Sequence, residues 1–191
     1  VSNGYIESNP ASGFQRYIVG PNANCRGADF SGAFFDRVDL DGIDFTGAIF
    51  TNVRSGIMRN EPMLSTLPSG FGLVAGINTQ TLDSQDPSYN NALYFVGPYA
   101  NLTNAFLKNA QIRNLDITGA NFIGADFNGL STSGITGTPA ALSSSSYFVK
   151  GGYIFGPLVN LSGGVFTGFD LSNSNLNGGI FVNSNFTNAN L

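Results

Sequence analysis

The sequence predicts an all-β solenoid, a chain wound into a square coil of about twenty residues per turn. Three observations carry this. Large residues recur at every fifth position, the same frame returns in three separate stretches, and a near-identical phrase stands ahead of each stretch.

In residues 27 to 50, "GADFSGAFFDRVDLDGIDFTGAIF", Phe30, Phe35, Leu40, Phe45 and Phe50 are five residues apart. That period belongs to neither a helix nor a strand. The first array has centres from Cys25 to Ser55, the second from Leu102 to Thr132, and the third from Leu161 to Leu191. Two places before each centre sits a smaller or apolar residue, such as Ala28, Ala33, Val38 and Ile43, then Ala105, Ala110 and Ala120. The third array is looser there, with Gly164, Ser174 and Gly179. The place before the centre is often Asp or Asn, the place after it Ser or Thr, and the next Gly or Asn. A unit with two inward residues and a turn-prone Gly or Asn makes one side of a square, turned at its corner by a residue that tolerates positive φ. Four sides close a coil, and stacked coils hydrogen-bond at about the inter-strand spacing of 4.8 Å. Phe30 is then expected over Phe50, Leu107 under Phe127, and Phe166 under Phe186.

The units "ADFSG", "IDFTG", "ANLTN", "ANFIG", "ADFNG" and "SNFTN" resemble pentapeptide repeats. The resemblance implies a right-handed quadrilateral β-helix. Family members share this architecture and serve unrelated ends, so the likeness speaks to shape before function.

The connecting segments carry a longer repeat. "YIVGP" at 17 to 21, "YFVGP" at 94 to 98 and "YIFGP" at 153 to 157 precede the arrays, and "SGI" with a later proline follows the first two. Pro98 and Pro157 are 59 residues apart, close to three coils of about twenty. The connectors are therefore expected to continue the winding for about one coil. The expected layout is one continuous rod over 1–191, with modules at roughly 1–57, 58–134 and 135–191, each of about three coils and the last incomplete at its C-terminus. Residues 78–91, "NTQTLDSQDPSYNN", read as a loop thrown out from the rod. It is either a tolerated insertion or an interaction loop bearing Asp83, Asp86 and Tyr89.

Composition narrows the function. Of 191 residues only 10% are charged and the net charge is -4, which makes direct nucleic-acid binding a poor expectation. There is no histidine, so the usual proton shuttle near neutral pH is missing. The single cysteine, Cys25, occupies a core slot, where a thiol is inert. No phosphate-binding loop, dinucleotide fingerprint, nucleophile elbow or membrane-length apolar run occurs. Neither an enzyme nor a cofactor is expected. The acidic cluster Asp36, Asp39, Asp41 and Asp44 offers one candidate metal pair, Asp39 and Asp41, which flank Leu40 and point outward. Its alternation also follows from the repeat itself. An ice-binding threonine ladder is disfavoured by Arg26, Asp36, Asp41, Lys108 and Arg113 in the same slot. Three sequons, at Asn101, Asn160 and Asn185, are written by the repeat consensus.

Two functional readings remain. The first is a rigid rod, spacer or scaffold in a larger extracellular, cell-surface or virion-type assembly. Its partners would be other subunits or further modules, joined end-to-end through the C-terminal coil. The second, implied by the family resemblance, is a DNA mimic that binds type II topoisomerases. Residues 151 to 191 hold one charged side chain, Asp170, a poor imitation of a duplex with one charge per about 1.7 Å.

Overall fold

A computed structural model describes residues 4–8, 15–35, 38–55, 66–77 and 91–191. Ten short strands occur among them and no helix. Two kinds of pairing alternate along the chain.

The first kind is parallel and follows the five-residue frame. Bridges join Asn24 to Asp44, Asp29 to Ile49, Asn101 to Asn121, Asn160 to Ile180 and Val165 to Asn185, each pair twenty residues apart. β3 (Phe34–Phe35) and β4 (Arg54–Ser55) pair in the same way, as do β7 (Gln111–Arg113) and β8 (Ser131–Ser133). The central residues of the units point inward: Phe30, Phe35, Leu40, Phe45, Phe122, Phe127 and Phe166 are fully buried. Expected ladder neighbours touch, with ring centroids 5.9 Å apart for Phe30 and Phe50 and 5.0 Å for Phe166 and Phe186.

Corner chemistry explains the Gly and Asn slot. These residues adopt the left-handed conformation, as at Asn109 (φ 55°) and Gly129 (φ 71°). Asn tolerates that region because its short amide can bond locally, and Gly because it lacks a Cβ. The two residues are also complementary between coils. A Cβ on Gly129 would land on the Asn109 amide oxygen, and Gly124 and Gly134 meet Asn104 and Asn114 in the same way. In these pairs the corner asparagine leaves room for nothing larger than glycine one coil further on.

The second kind of pairing is antiparallel, and here the structure departs from the expected uninterrupted winding. Before each array stands a hairpin: β1 (Gly4–Ser8) with β2 (Gln15–Val19), β5 (Gly72–Ile77) with β6 (Asn91–Val96), and β9 (Phe148–Lys150) with β10 (Tyr153–Phe155). The connectors do first continue the coil, since Asp44 bridges Thr66, Asp116 bridges Thr136, and Asn121 bridges Ala141. The Tyr-apolar-apolar-Gly-Pro phrase then forms the returning strand of a hairpin instead of a further coil side. Gly151 and Gly152, both at positive φ, form the two-residue turn between β9 and β10, the geometry that favours Gly-Gly in tight hairpins.

The returning strands β6 and β10 divide the core. Successive strand residues point to opposite faces. Phe95 accordingly packs in the first core with Phe35, Phe45 and Phe50, while Tyr94 and Val96 pack in the second. One junction later, Ile154 belongs to the second core and Phe155 to the third. The ladders resume beyond each hairpin: Asn101 N–H donates to Val53 O (2.9 Å) and Asn160 N–H to Leu130 O (2.9 Å).

Candidate functional site

Two positions where the frame falters hold the junctions together. Ser55 and Thr132 stand in central slots that are otherwise apolar. Their hydroxyls receive the backbone of the crossing strand, with Phe95 N–H donating to Ser55 Oγ (2.9 Å) and Ile154 N–H to Thr132 Oγ1 (2.8 Å). The tyrosines add a second tie. Asp29 N–H donates to Tyr17 Oη (3.2 Å), Phe106 N–H to Tyr94 Oη (2.9 Å), and Val165 N–H to Tyr153 Oη (3.5 Å), each bond spanning twelve residues. Burial pushes the Tyr94 phenol above its ordinary pKa, so it stays neutral as an acceptor.

Thr132 is only 3% exposed. Thr132→Val keeps the shape but leaves the Ile154 N–H without an acceptor, and a loss of about 1–3 kcal/mol is expected in chemical denaturation. Thr132→Ser, which keeps the acceptor, should cost less.

The outward Asp and Asn residues are occupied in turning their own corners. Asp29, Asp39, Asp44, Asp116, Asp126 and Asp170 each accept the N–H two residues on through Oδ1, at 2.9 to 3.1 Å. The sequon residues do the same: Asn101 accepts from Thr103, Asn160 from Ser162 and Asn185 from Thr187. These are Asx turns, and they give the reason why the repeat carries Asp or Asn before its central residue.

The candidate metal pair sits in this pattern. Asp39 spends one oxygen on the Asp41 N–H (3.1 Å), and both residues are half-buried. No group of three or more metal-binding side chains converges among the described residues. Asp36 lies outside the described residues, as do Asp83, Asp86 and Tyr89 of the expected interaction loop. That loop joins the paired ends of β5 and β6, where Ile77 faces Asn91. Cys25 is buried, and burial raises its thiol pKa. Among the described residues, no helix is long and apolar enough to cross a membrane.

Two carboxylates, half-buried Asp44 and exposed Asp170, are shifted as well. The Thr46 hydroxyl and N–H, with help from Arg26, hold Asp44 below the ordinary carboxylate value, and Ser172 does the same for Asp170. Arg26 Nη1 lies 2.9 Å from Asp44 Oδ2, a surface pair of small energetic weight. Both carboxylates bind protons less tightly in the folded chain than in the unfolded one. Their stabilisation is present above the unfolded pKa and is lost as pH falls through the folded one. A shallower fall in melting temperature between about pH 5 and pH 2 is therefore expected for Asp44→Asn/Asp170→Asn than for the parent.

Stacked β-coils with an apolar interior, whose outward carboxamides and carboxylates close their own turns, define a structural repeat protein. The chain belongs to the pentapeptide repeat family. The family model, pentapeptide repeats, matches in eight copies over residues 22–54, 99–129 and 158–191, just over half of the chain. The family's fold is a right-handed β-helix, in keeping with the all-strand architecture. No curated protein and no solved structure matches the chain.

Proposed function

We propose that the chain is a non-enzymatic structural rod, a spacer or scaffold segment of a larger extracellular, cell-surface or virion-type assembly. The observation that carries this reading is the use of the outward slots. The side chains that could have formed a reactive or metal-binding cluster cap the corners of the coil. In this reading the coil is quadrilateral with about twenty residues per turn, and three modules of about three coils run along one axis. The rungs Asn101, Asn121 and Ala141 support that count for the second module.

The partners are other subunits or further modules, stacked through the C-terminal coil. A coil edge that combines apolar side chains with strand-like backbone is a template for pairing. Light scattering across a concentration series tests this reading. Particles that lengthen with concentration, and shorten in Leu191→Asp, are expected. A monodisperse monomer at every concentration, together with inhibition of DNA supercoiling by gyrase, would replace the scaffold with a topoisomerase-binding role.

A further inference from the structure

We propose that a groove beside the β9–β10 hairpin binds an uncharged saccharide. The groove has a volume of about 670 Å³, within the size range of ligand pockets. It forms where the second module leaves the five-residue frame, between Ile123 of the array and the connector that leads to β9.

Ile123 breaks the repeat. Its slot, the place after the central residue, holds Thr103, Lys108, Arg113, Thr118 and Asn128 in the neighbouring units. Ile123 is 53% exposed and lies on the groove. Leu142 and Val149 add apolar side chains to the lining. The exposed residues Thr138, Ser144 and Ser145 add hydroxyls.

The wall is built. Ser143 Oγ donates to Ala125 O, and Tyr147 N–H donates to Ser144 O (3.2 Å). The Tyr147 hydroxyl donates to Pro157 O (3.1 Å), and its ring packs edge-on against Phe127 at 5.0 Å. Of the lining side chains only Tyr147 can ionise. Burial and nearby Asp126 raise its pKa and keep it neutral.

Charge and polarity select the ligand. A phosphate or carboxylate would find no cation on the walls, and a cation would find no carboxylate there. An acyl chain would cover the apolar side chains but remove water from the hydroxyls without returning hydrogen bonds. A pyranose ring has a C–H face for Ile123 and Leu142, and edge hydroxyls that can exchange hydrogen bonds with Thr138, Ser144 and Ser145.

The experiment is a titration of the full chain, followed by amide NMR, with cellohexaose, maltohexaose and chitohexaose in turn and with laurate as the acyl probe. At least one hexasaccharide is expected to bind, with shifts confined to residues around Ile123 and 137–149. Ile123→Thr, which restores the repeat's own residue type, is expected to weaken that binding about tenfold or more without lowering the melting temperature. Ser144→Ala/Ser145→Ala, which removes two of the lining hydroxyls, should weaken it as well. Absence of binding by all three at about 10 mM, equal affinity of Ile123→Thr and parent, or binding of laurate alone would overturn the proposal. Self-association that disappears in Ile123→Thr would overturn it too, by assigning the groove to a second copy of the chain.

Discussion

Replacing Phe166 by alanine is expected to lower the free energy of unfolding by about 3–5 kcal/mol. The ring is fully buried in the third core. Its centroid lies 5.0 Å from Tyr153, 5.1 Å from Phe155 and 5.0 Å from Phe186, with Phe169 and Phe181 at 6.1 Å. Those neighbours belong to the hairpin, to the same coil and to the next one, and backbone hydrogen bonds join these layers. They cannot collapse into the vacated space, so a cavity term adds to the lost burial. Thr167→Ala, one residue on and exposed, should change stability by less than about 0.5 kcal/mol. Denaturant unfolding of the two variants gives the comparison. A cost at Phe166 as small as that at Thr167 would mean that the aromatic column is not packed.

Replacing Gly76 by alanine has the second large effect, through overpacking. A Cβ at this residue would land on the Phe106 carbonyl oxygen, with the Leu107 Cα only 3.2 Å away. The obstacle is backbone, so no rotamer change relieves it. β5 must shift away from the coil that carries Phe106, straining the bond from Phe106 N–H to Tyr94 Oη. A loss of about 3 kcal/mol is expected. Gly47→Ala is the comparison. Its Cβ would meet nothing within 4 Å, and its φ of +70° exacts about 1–2 kcal/mol for the left-handed conformation alone. Gly76→Ala should therefore be the more damaging variant, although Gly47 has the less ordinary backbone.

Much of this architecture was legible in the residues, for a physical reason. Each five-residue side repeats the same demands of one large inward group, one small one and one corner residue, so Phe30, Phe35, Phe45 and Phe50 announce the core directly. Asp44 and Asn121 were legible as outward residues. Their task was not, because an Asx turn and a metal ligand draw on the same side chains. The hairpins were missed because "YFVGP" and "YIFGP" carry apolar residues that suit either a coil side or a crossing strand. Two signals distinguish them. "FVKGGYIF" places Gly-Gly between two strand-forming triplets, Phe-Val-Lys and Tyr-Ile-Phe, the mark of a two-residue hairpin turn. Ser55 and Thr132 put hydroxyls in slots built for phenylalanine or leucine, where a backbone donor must arrive from elsewhere in the chain. The groove at Ile123 escaped because it depends on how the connector folds back beside an array, which no local period encodes.

The central claim is that the coil ladder resumes across a hairpin that passes through the core. Arg54 and Asn101 test it most directly, because they are 47 residues apart in sequence yet bridge in parallel. In a Cys25→Ser background, R54C with N101C should form an intramolecular disulfide rapidly under mild oxidation, since stacked rungs lie within the Cα reach of such a bond. R54C with D116C, whose second residue belongs to another ladder, should not. Rapid bridging of the first pair alone is the predicted result. Equal bridging of both pairs, or none in the first, would contradict the account.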